Sequence, residues 1–192
     1  MKKTALITGI SGMVGSHLTD LLLKKTNWNI YGLCRWRSPL DNIDHLLDLA
    51  NKKNSRLKFI SADLNDYSSL IKALEISKPD YIYHLGEYSR VEQSFDDIEK
   101  VWRFNKDGIF AVLQFCRKTG AKIIYAGSST KFGDGGLGRS QSPYAWTKAS
   151  NTELVVNYGD WFNVPYAIVY FYNVFGKREI SSGKYATLIA LF

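Results

Sequence analysis

The chain has 192 residues, of which 45% are hydrophobic and 22% charged, with a formal net charge of +7. That is enough apolar material for one well-buried domain, and no apolar run approaches the roughly 20 residues of a membrane span. Lysines and arginines are scattered in short pairs such as Lys24-Lys25 and Lys52-Lys53, with no basic stripe interleaved with aromatics, so neither nucleic acid nor a membrane is an expected partner.

Met1-Lys2-Lys3 passes directly into an apolar run, without the apolar stretch and small-residue cleavage site of a signal peptide. Cys34 and Cys116 stand in unrelated contexts and read as free thiols, and the expected compartment is the cytoplasm. No metal is expected. Ala5-Leu6-Ile7 predicts a short buried strand, and Val14, Leu18, Leu21 and Leu22 recur at helical spacing. Between them lies Thr8-Gly9-Ile10-Ser11-Gly12-Met13-Val14-Gly15, a G-x-x-G-x-x-G turn at a helix N-terminus. Free backbone N–H groups and the positive end of the helix dipole favour a phosphate there, and glycines let the backbone approach it. Gly9, Gly12, Met13, Val14 and Gly15 are therefore candidate cofactor-binding residues, with a pyrophosphate expected at 12–14.

A second strand over 30–34 leads into Cys34-Arg35-Trp36-Arg37-Ser38, with no acid until Asp41. A dinucleotide fold that takes NAD usually places Asp or Glu here for the ribose 2′-hydroxyl, whereas arginine accommodates the extra phosphate of NADP. Arg35, Arg37 and Ser38 offer such donors, so NADP is the expected cofactor and NAD the second choice. A helix over 43–49, a strand over 57–62 ending in Asp63-Leu64, a helix over 67–77 stopped by Pro79, a strand over 81–85 leading into Gly86-Glu87, a long helix over 98–119 and a strand over 122–126 follow. This alternation implies right-handed crossovers and a doubly wound parallel sheet, a Rossmann fold of the α/β class.

Beyond the fifth strand come Gly127-Ser128-Ser129-Thr130, a glycine-rich loop over 133–138, a helix from Pro143 to about residue 162, a strand over 166–172 and Asn173-Val174-Phe175-Gly176. Tyr144 and Lys148 are four apart on that helix and project from one face. An ammonium and a cationic nicotinamide beside a tyrosine favour its phenolate, which makes Tyr144 a candidate general base. Ser128, at the C-terminal strand edge where open α/β sheets bind ligands, is placed to hydrogen-bond the same substrate oxygen. Ser128, Tyr144 and Lys148 are the candidate catalytic residues.

Gly9/Gly12/Gly15, Asp63-Leu64, His84-Leu85, Asn105, Ser128-Ser129-Thr130, Tyr144/Lys148 and Asn173-Val174-Phe175-Gly176 together resemble the extended short-chain dehydrogenase/reductases, within them the nucleotide-sugar epimerase/dehydratase group. The resemblance implies that Asp63 and Leu64 lie at the adenine, that Leu85 and Gly86 line the cofactor, and that Lys148 holds the nicotinamide ribose and tunes Tyr144. It implies a nucleotide-sugar substrate, a UDP- or GDP-hexose, contacted by Glu87, Ser129, Thr130 and Asn173. The segment 35–38 resembles the NADP-binding turn of GDP-mannose 4,6-dehydratases and related GDP-sugar reductases. Related enzymes commonly dimerise through the helix pair corresponding to 98–119 and 144–162, so a homodimer is expected, with Phe104, Phe110, Phe115, Trp146 and Trp161 supplying apolar area.

The chain departs from the resemblance in three places. Gly86-Glu87 stands where two alanines are more usual, and the connection from Ser128 to Tyr144 is short. The chain also stops where a substrate lobe would begin, which gives a dinucleotide-binding domain over 1–176 and the beginning of a truncated lobe over 177–192. Sugar-nucleotide 4,6-dehydratases carry Thr, Asp or Ser, and Glu at the positions of Ser128, Ser129 and Thr130. Eliminating water across C5 and C6 needs those acids, and Thr130 cannot supply one. The expectation is therefore an enzyme, a C4 epimerase. The alternatives are a 4-keto-sugar reductase, a 4,6-dehydratase, or a truncated protein that binds a dinucleotide and turns over nothing.

Overall fold

The computed structural model describes residues 2–183 and 186, apart from the side chain of Asp134. The expectation for 177–192 therefore falls largely outside the described residues. Among those described, six strands form one parallel sheet: β1 (Thr4–Thr8), β2 (Asn29–Cys34), β3 (Leu57–Ser61), β4 (Tyr81–His84), β5 (Lys122–Ser128) and β6 (Tyr166–Phe171). Their order is β3-β2-β1-β4-β5-β6, so the order in which strands are added reverses between β1 and β4. The helices are α1 (Met13–Lys25), α2 (Asp44–Asn51), α3 (Tyr67–Ser77), α4 (Gln93–Asp96), α5 (Ile98–Trp102), α6 (Gly108–Thr119) and α7 (Pro143–Phe162). The doubly wound fold expected from the alternation is thus the one observed.

Alternate residues of β1 explain the two layers. Ala5 and Ile7 join Leu22, Ile30, Leu46 and Leu57 beneath α1 and α2. Leu6 faces the other way and joins Leu70, Leu74, Ile109, Leu113, Tyr125 and Val155 beneath α3, α6 and α7. Side chains of successive strand residues point to opposite faces, so a strand covered by helices on both faces must be apolar at every position.

Three expectations are corrected. The helix expected over 98–119 is interrupted: residues 103–107 form a π-helical turn between α5 and α6. The extra residue brings Asn105 and Lys106 together onto α7, where Asn105 Nδ2 donates to Thr147 Oγ1 at 3.0 Å and Lys106 Nζ donates to Asn151 Oδ1 at 2.9 Å. The glycine-rich stretch over 133–138, read as a loop, lies within a run of 3₁₀ turns spanning Ser129–Ser140. β5 also runs two residues further than the apolar run suggested, ending on Ser128 itself.

Candidate functional site

The site forms where β1 and β4 part. Gly9 adopts a φ of +70°, and a Cβ on Gly15 would lie 2.2 Å from the Gly9 carbonyl oxygen. Neither position accepts a side chain, and the turn folds back tightly onto α1. Gly12 caps α1 with no side-chain hydrogen bond and no acid stands in the first turn, which leaves the opening N–H groups at Met13 and Val14 for an outside acceptor. The turn packs backbone to backbone against the end of β4, since a Cβ on Gly86 would meet the Gly9 nitrogen at 2.7 Å.

Thr8 fastens this junction, a role that residue spacing offers no means of finding. Its hydroxyl oxygen accepts from the N–H groups of Leu85 and Gly86, each at 3.0 Å, and lies 3.2 Å from His84 Nδ1. Both lone pairs are thereby used, so the Thr8 proton goes to Nδ1 and the His84 hydrogen sits on Nε2. That Nε2 is 3.6 Å from Glu87 Oε1.

The sequence-predicted cofactor residues gather along the same strand edge. Arg35, Trp36 and Arg37 are exposed after β2, with Arg37 in the left-handed region at φ 64° and the Arg35 guanidinium 5.2 Å from the centre of the Phe104 ring. The half-buried Ser38 closes the turn through its N–H to the Arg35 carbonyl at 3.1 Å. Asp63 is half-buried after β3 and accepts from the Asn65 N–H at 2.9 Å, whereas Leu64 is part of the core.

Across the switch point, Ser128 ends β5 and Tyr144 opens α7, whose Ser142 cap accepts from the Ala145 N–H at 3.0 Å. Lys148 lies one turn further, 6% exposed in its side chain, and donates to Glu87 Oε2 and to the Ala126 carbonyl. The Glu87 carboxylate is turned inward, at 3% exposure, rather than into open solvent. It also accepts from Tyr125 OH at 3.0 Å and from Asn151 Nδ2 at 3.1 Å. Burial alone would raise this carboxyl, but the Lys148 ammonium and the His84 N–H hold it at about 2. Burial and the neighbouring Glu87 charge push the Tyr125 phenol well above its ordinary range, so Tyr125 stays a donor.

Asn151 and Tyr125 were not singled out from the sequence, and His84 entered only as part of the His84-Leu85 motif, with no role at the site assigned to it. For Asn151 the signal was present: Tyr144, Lys148 and Asn151 fall at i, i+4 and i+7 on α7, a polar stripe on a helix whose Thr147, Lys148, Asn151 and Thr152 are all buried.

Ser128 Oγ accepts from Thr130 Oγ1 at 3.0 Å and from the Thr130 N–H at 3.3 Å. Ser129 and Thr130 line a cavity of about 400 Å³ with Phe132, Gln141 and Tyr172. Asn173, next in the chain, is exposed. A hollow of about 200 Å³ at the opposite edge, lined by Asn29, Arg56 and Lys58, lies at N-terminal strand ends away from these groups. Burial raises the Cys34 thiol to about 11 and the Cys116 thiol to about 12, which makes neither a nucleophile.

Comparison with known proteins gives one consistent picture. A structure of UDP-glucose 4-epimerase from Thermus thermophilus in complex with NAD superposes with a TM-score of 0.78 at 23% identity, covering 94% of this chain and 58% of that one. A UDP-N-acetylglucosamine 4-epimerase from Methanobrevibacter ruminantium superposes with a TM-score of 0.80 at 26% identity, covering 99% of this chain and 61% of that one. The GDP-mannose 4,6 dehydratase of Drosophila melanogaster is 33% identical over 177 residues, which are 84% of this chain and 45% of that protein. The chain spans about half the length of the curated relatives it matches. A family model described as GDP-mannose 4,6 dehydratase matches residues 6–190, nearly the whole sequence, and the chain therefore belongs to that family, among the nucleotide-sugar epimerases and dehydratases of the extended short-chain dehydrogenase/reductases.

Proposed function

We propose that the protein epimerises a nucleotide-activated hexose at C4, with Tyr144 as the base. The observation that carries this reading is the hydroxyl of Thr130 bonded to Ser128, at the position where the resemblance implies a glutamate in 4,6-dehydratases. Thr130 stands there as a hydroxyl donor to Ser128 Oγ, and the Glu87 carboxylate is committed to Lys148, Tyr125 and Asn151. Eliminating water across C5 and C6 needs an acid and a base that this arrangement does not offer, whereas epimerisation needs only a base at O4 and a reversible hydride transfer.

The residues present fit a nicotinamide dinucleotide. The uncapped opening turn of α1 receives the pyrophosphate, and the strand edge between β1 and β4 receives the two nucleoside halves. A bound oxidised dinucleotide would provide the acceptor for the C4 hydride and the donor for its return to the other face of the ketone. Tyr144 accepts the proton of the sugar 4-hydroxyl. Ser128 keeps its own proton for the same oxygen, because its lone pairs already accept from Thr130. Lys148 commits two of its three N–H donors to Glu87 and Ala126, leaving one for the ribose.

The names of the relatives above point to GDP-mannose, UDP-glucose and UDP-N-acetylglucosamine, so UDP- and GDP-hexoses are the substrates to test. Incubated with the full-length protein and cofactor, one of them should yield its C4 epimer by NMR. Tyr144→Phe should lower turnover roughly 10²–10⁴-fold while retaining cofactor binding. The family match favours a second reading, 4,6-dehydration; a 4-keto-6-deoxy product would establish it and overturn the epimerase reading.

We also propose a preference for NADP(H), supported by the exposed guanidiniums of Arg35 and Arg37 at the end of β2, where no carboxylate precedes Asp41. In calorimetric titrations NADP(H) should bind more tightly than NAD(H). Arg35→Ala should erode that margin by about tenfold, the worth of one charge-assisted hydrogen bond. Equal affinity of the wild-type protein for both cofactors would refute the preference.

A further inference from the structure

A buried carboxylate on the lysine of a site that takes a cationic ring is a strong electrostatic element. Glu87 follows β4, and its carboxylate meets groups from two other elements: Tyr125 of β5, and Lys148 and Asn151 of α7. His84 Nε2 approaches from β4 itself, at 3.6 Å. Burial lowers the Lys106 ammonium, on the π-helical turn, below its ordinary value while the same negative charge opposes that shift, and Tyr144 lies within electrostatic reach of Tyr125. The central pair is shielded from solvent: the side chains of Lys148 and Glu87 are 6% and 3% exposed. A buried ion pair is costly to form and is not explained by stability alone.

We propose that Glu87 is a positioning residue: its carboxylate fixes the Lys148 ammonium and offsets its charge, so that the site accepts an oxidised, cationic nicotinamide that an unpaired lysine would repel. The inference rests on the dinucleotide reading above. With Glu87 in place the lysine is held at three points, by Glu87, by the Ala126 carbonyl and by the Tyr125 ring, whose centre lies 4.5 Å from Nζ. The pair is close to neutral as seen from the ribose, and the remaining N–H is aimed without a net positive field behind it. Removing the carboxylate leaves an isolated ammonium in a low-dielectric pocket, where a unit charge several ångströms from the ring acts with little screening.

The test is the ratio of affinities for oxidised and reduced cofactor, which a merely structural residue would not move. Dissociation constants for NAD+, NADH, NADP+ and NADPH are measured by calorimetry for the wild type, Glu87→Gln, Glu87→Ala and the neutral pair Glu87→Gln with Lys148→Met. Glu87→Gln keeps the shape of the carboxylate, and Glu87→Ala admits water to solvate the ammonium should the first variant not fold. Either single variant should lose affinity for the oxidised form relative to the reduced by about tenfold, equivalent to a rise of about 30 mV in the two-electron potential of the bound cofactor. The neutral pair should bring the ratio back toward the wild-type value. An unchanged ratio in the single variants, with dinucleotide still bound, overturns this inference and leaves the dinucleotide reading standing. Failure of the wild-type protein to bind any of the four overturns both.

Discussion

Lys148 and Glu87 each lie within reach of a neighbour that offsets the cost of burying their charge, and the result has a pH signature. The Glu87 carboxyl, held at about 2 against an ordinary value of 4.5, contributes stability that is fully present above that ordinary value and drains away as pH falls through the window between the two. Glu87→Gln should therefore cost about 3–5 kcal/mol at pH 7, the usual penalty for stranding one member of a buried pair. That difference should shrink steadily below pH 4.5, as the advantage of the ionised wild-type carboxyl over its unfolded counterpart is lost. Urea denaturation of both proteins at pH 7 and pH 3 checks this, and a gap independent of pH would show that Glu87 is not ionised in the folded protein.

The π-helical turn between α5 and α6 is the element that brings the distant pieces of the site together. Asn105 there accepts from the Tyr88 N–H at 2.7 Å, donates to Thr147 Oγ1 and to the Tyr88 carbonyl, and offers its own carbonyl to Asn151 Nδ2 at 2.8 Å. Asn151 in turn holds Glu87, so the turn supports the site from one step behind. An α-helical register would rotate either Asn105 or Lys106 away from α7. Asn105→Ala strands buried partners on two elements and should destabilise the protein by about 2–4 kcal/mol in chemical denaturation. A loss below about 1 kcal/mol would mean that solvent or a rearranged turn replaces these bonds.

At the scale of the whole molecule, the face carried by α5, α6 and α7 is unusually aromatic. Trp102 and Trp146 stack with centroids 5.7 Å apart while 48% and 41% exposed, and Phe110 and Trp161 are 46% and 60% exposed. Phe115, by contrast, is a core residue and Phe104 packs against that core, so two of the five aromatics expected at an interface serve the interior instead. We propose that the remaining aromatics pair two copies of the chain, since large ordered apolar patches of this kind mark contact surfaces. Light scattering at micromolar concentration should return twice the monomer mass, with Phe110→Glu reducing it to one; a wild-type monomer would refute the pairing. None of the described helices is long and apolar enough to cross a membrane.

What the sequence by itself determined was whatever depends on neighbours along the chain. The sheet, the glycine turn, the start of α7 at Pro143 and the shared face of Tyr144 and Lys148 are local: they follow from hydrophobic period, from glycine's freedom and from helical spacing, and the structure reproduces them within a residue or two. Tertiary structure alone decided the company each charged side chain keeps. Glu87 and Lys148 are 61 residues apart, and no periodicity signals that the acid after β4 turns inward to meet the lysine of α7. The same holds for Thr8, joined to Leu85 across 77 residues, and for the break in the helix at Asn105, which exists because Thr147 and Asn151 stand opposite it. Local propensity is set by the energy of one segment in water, whereas a buried polar group is stabilised only by partners that arrive when the sheet assembles.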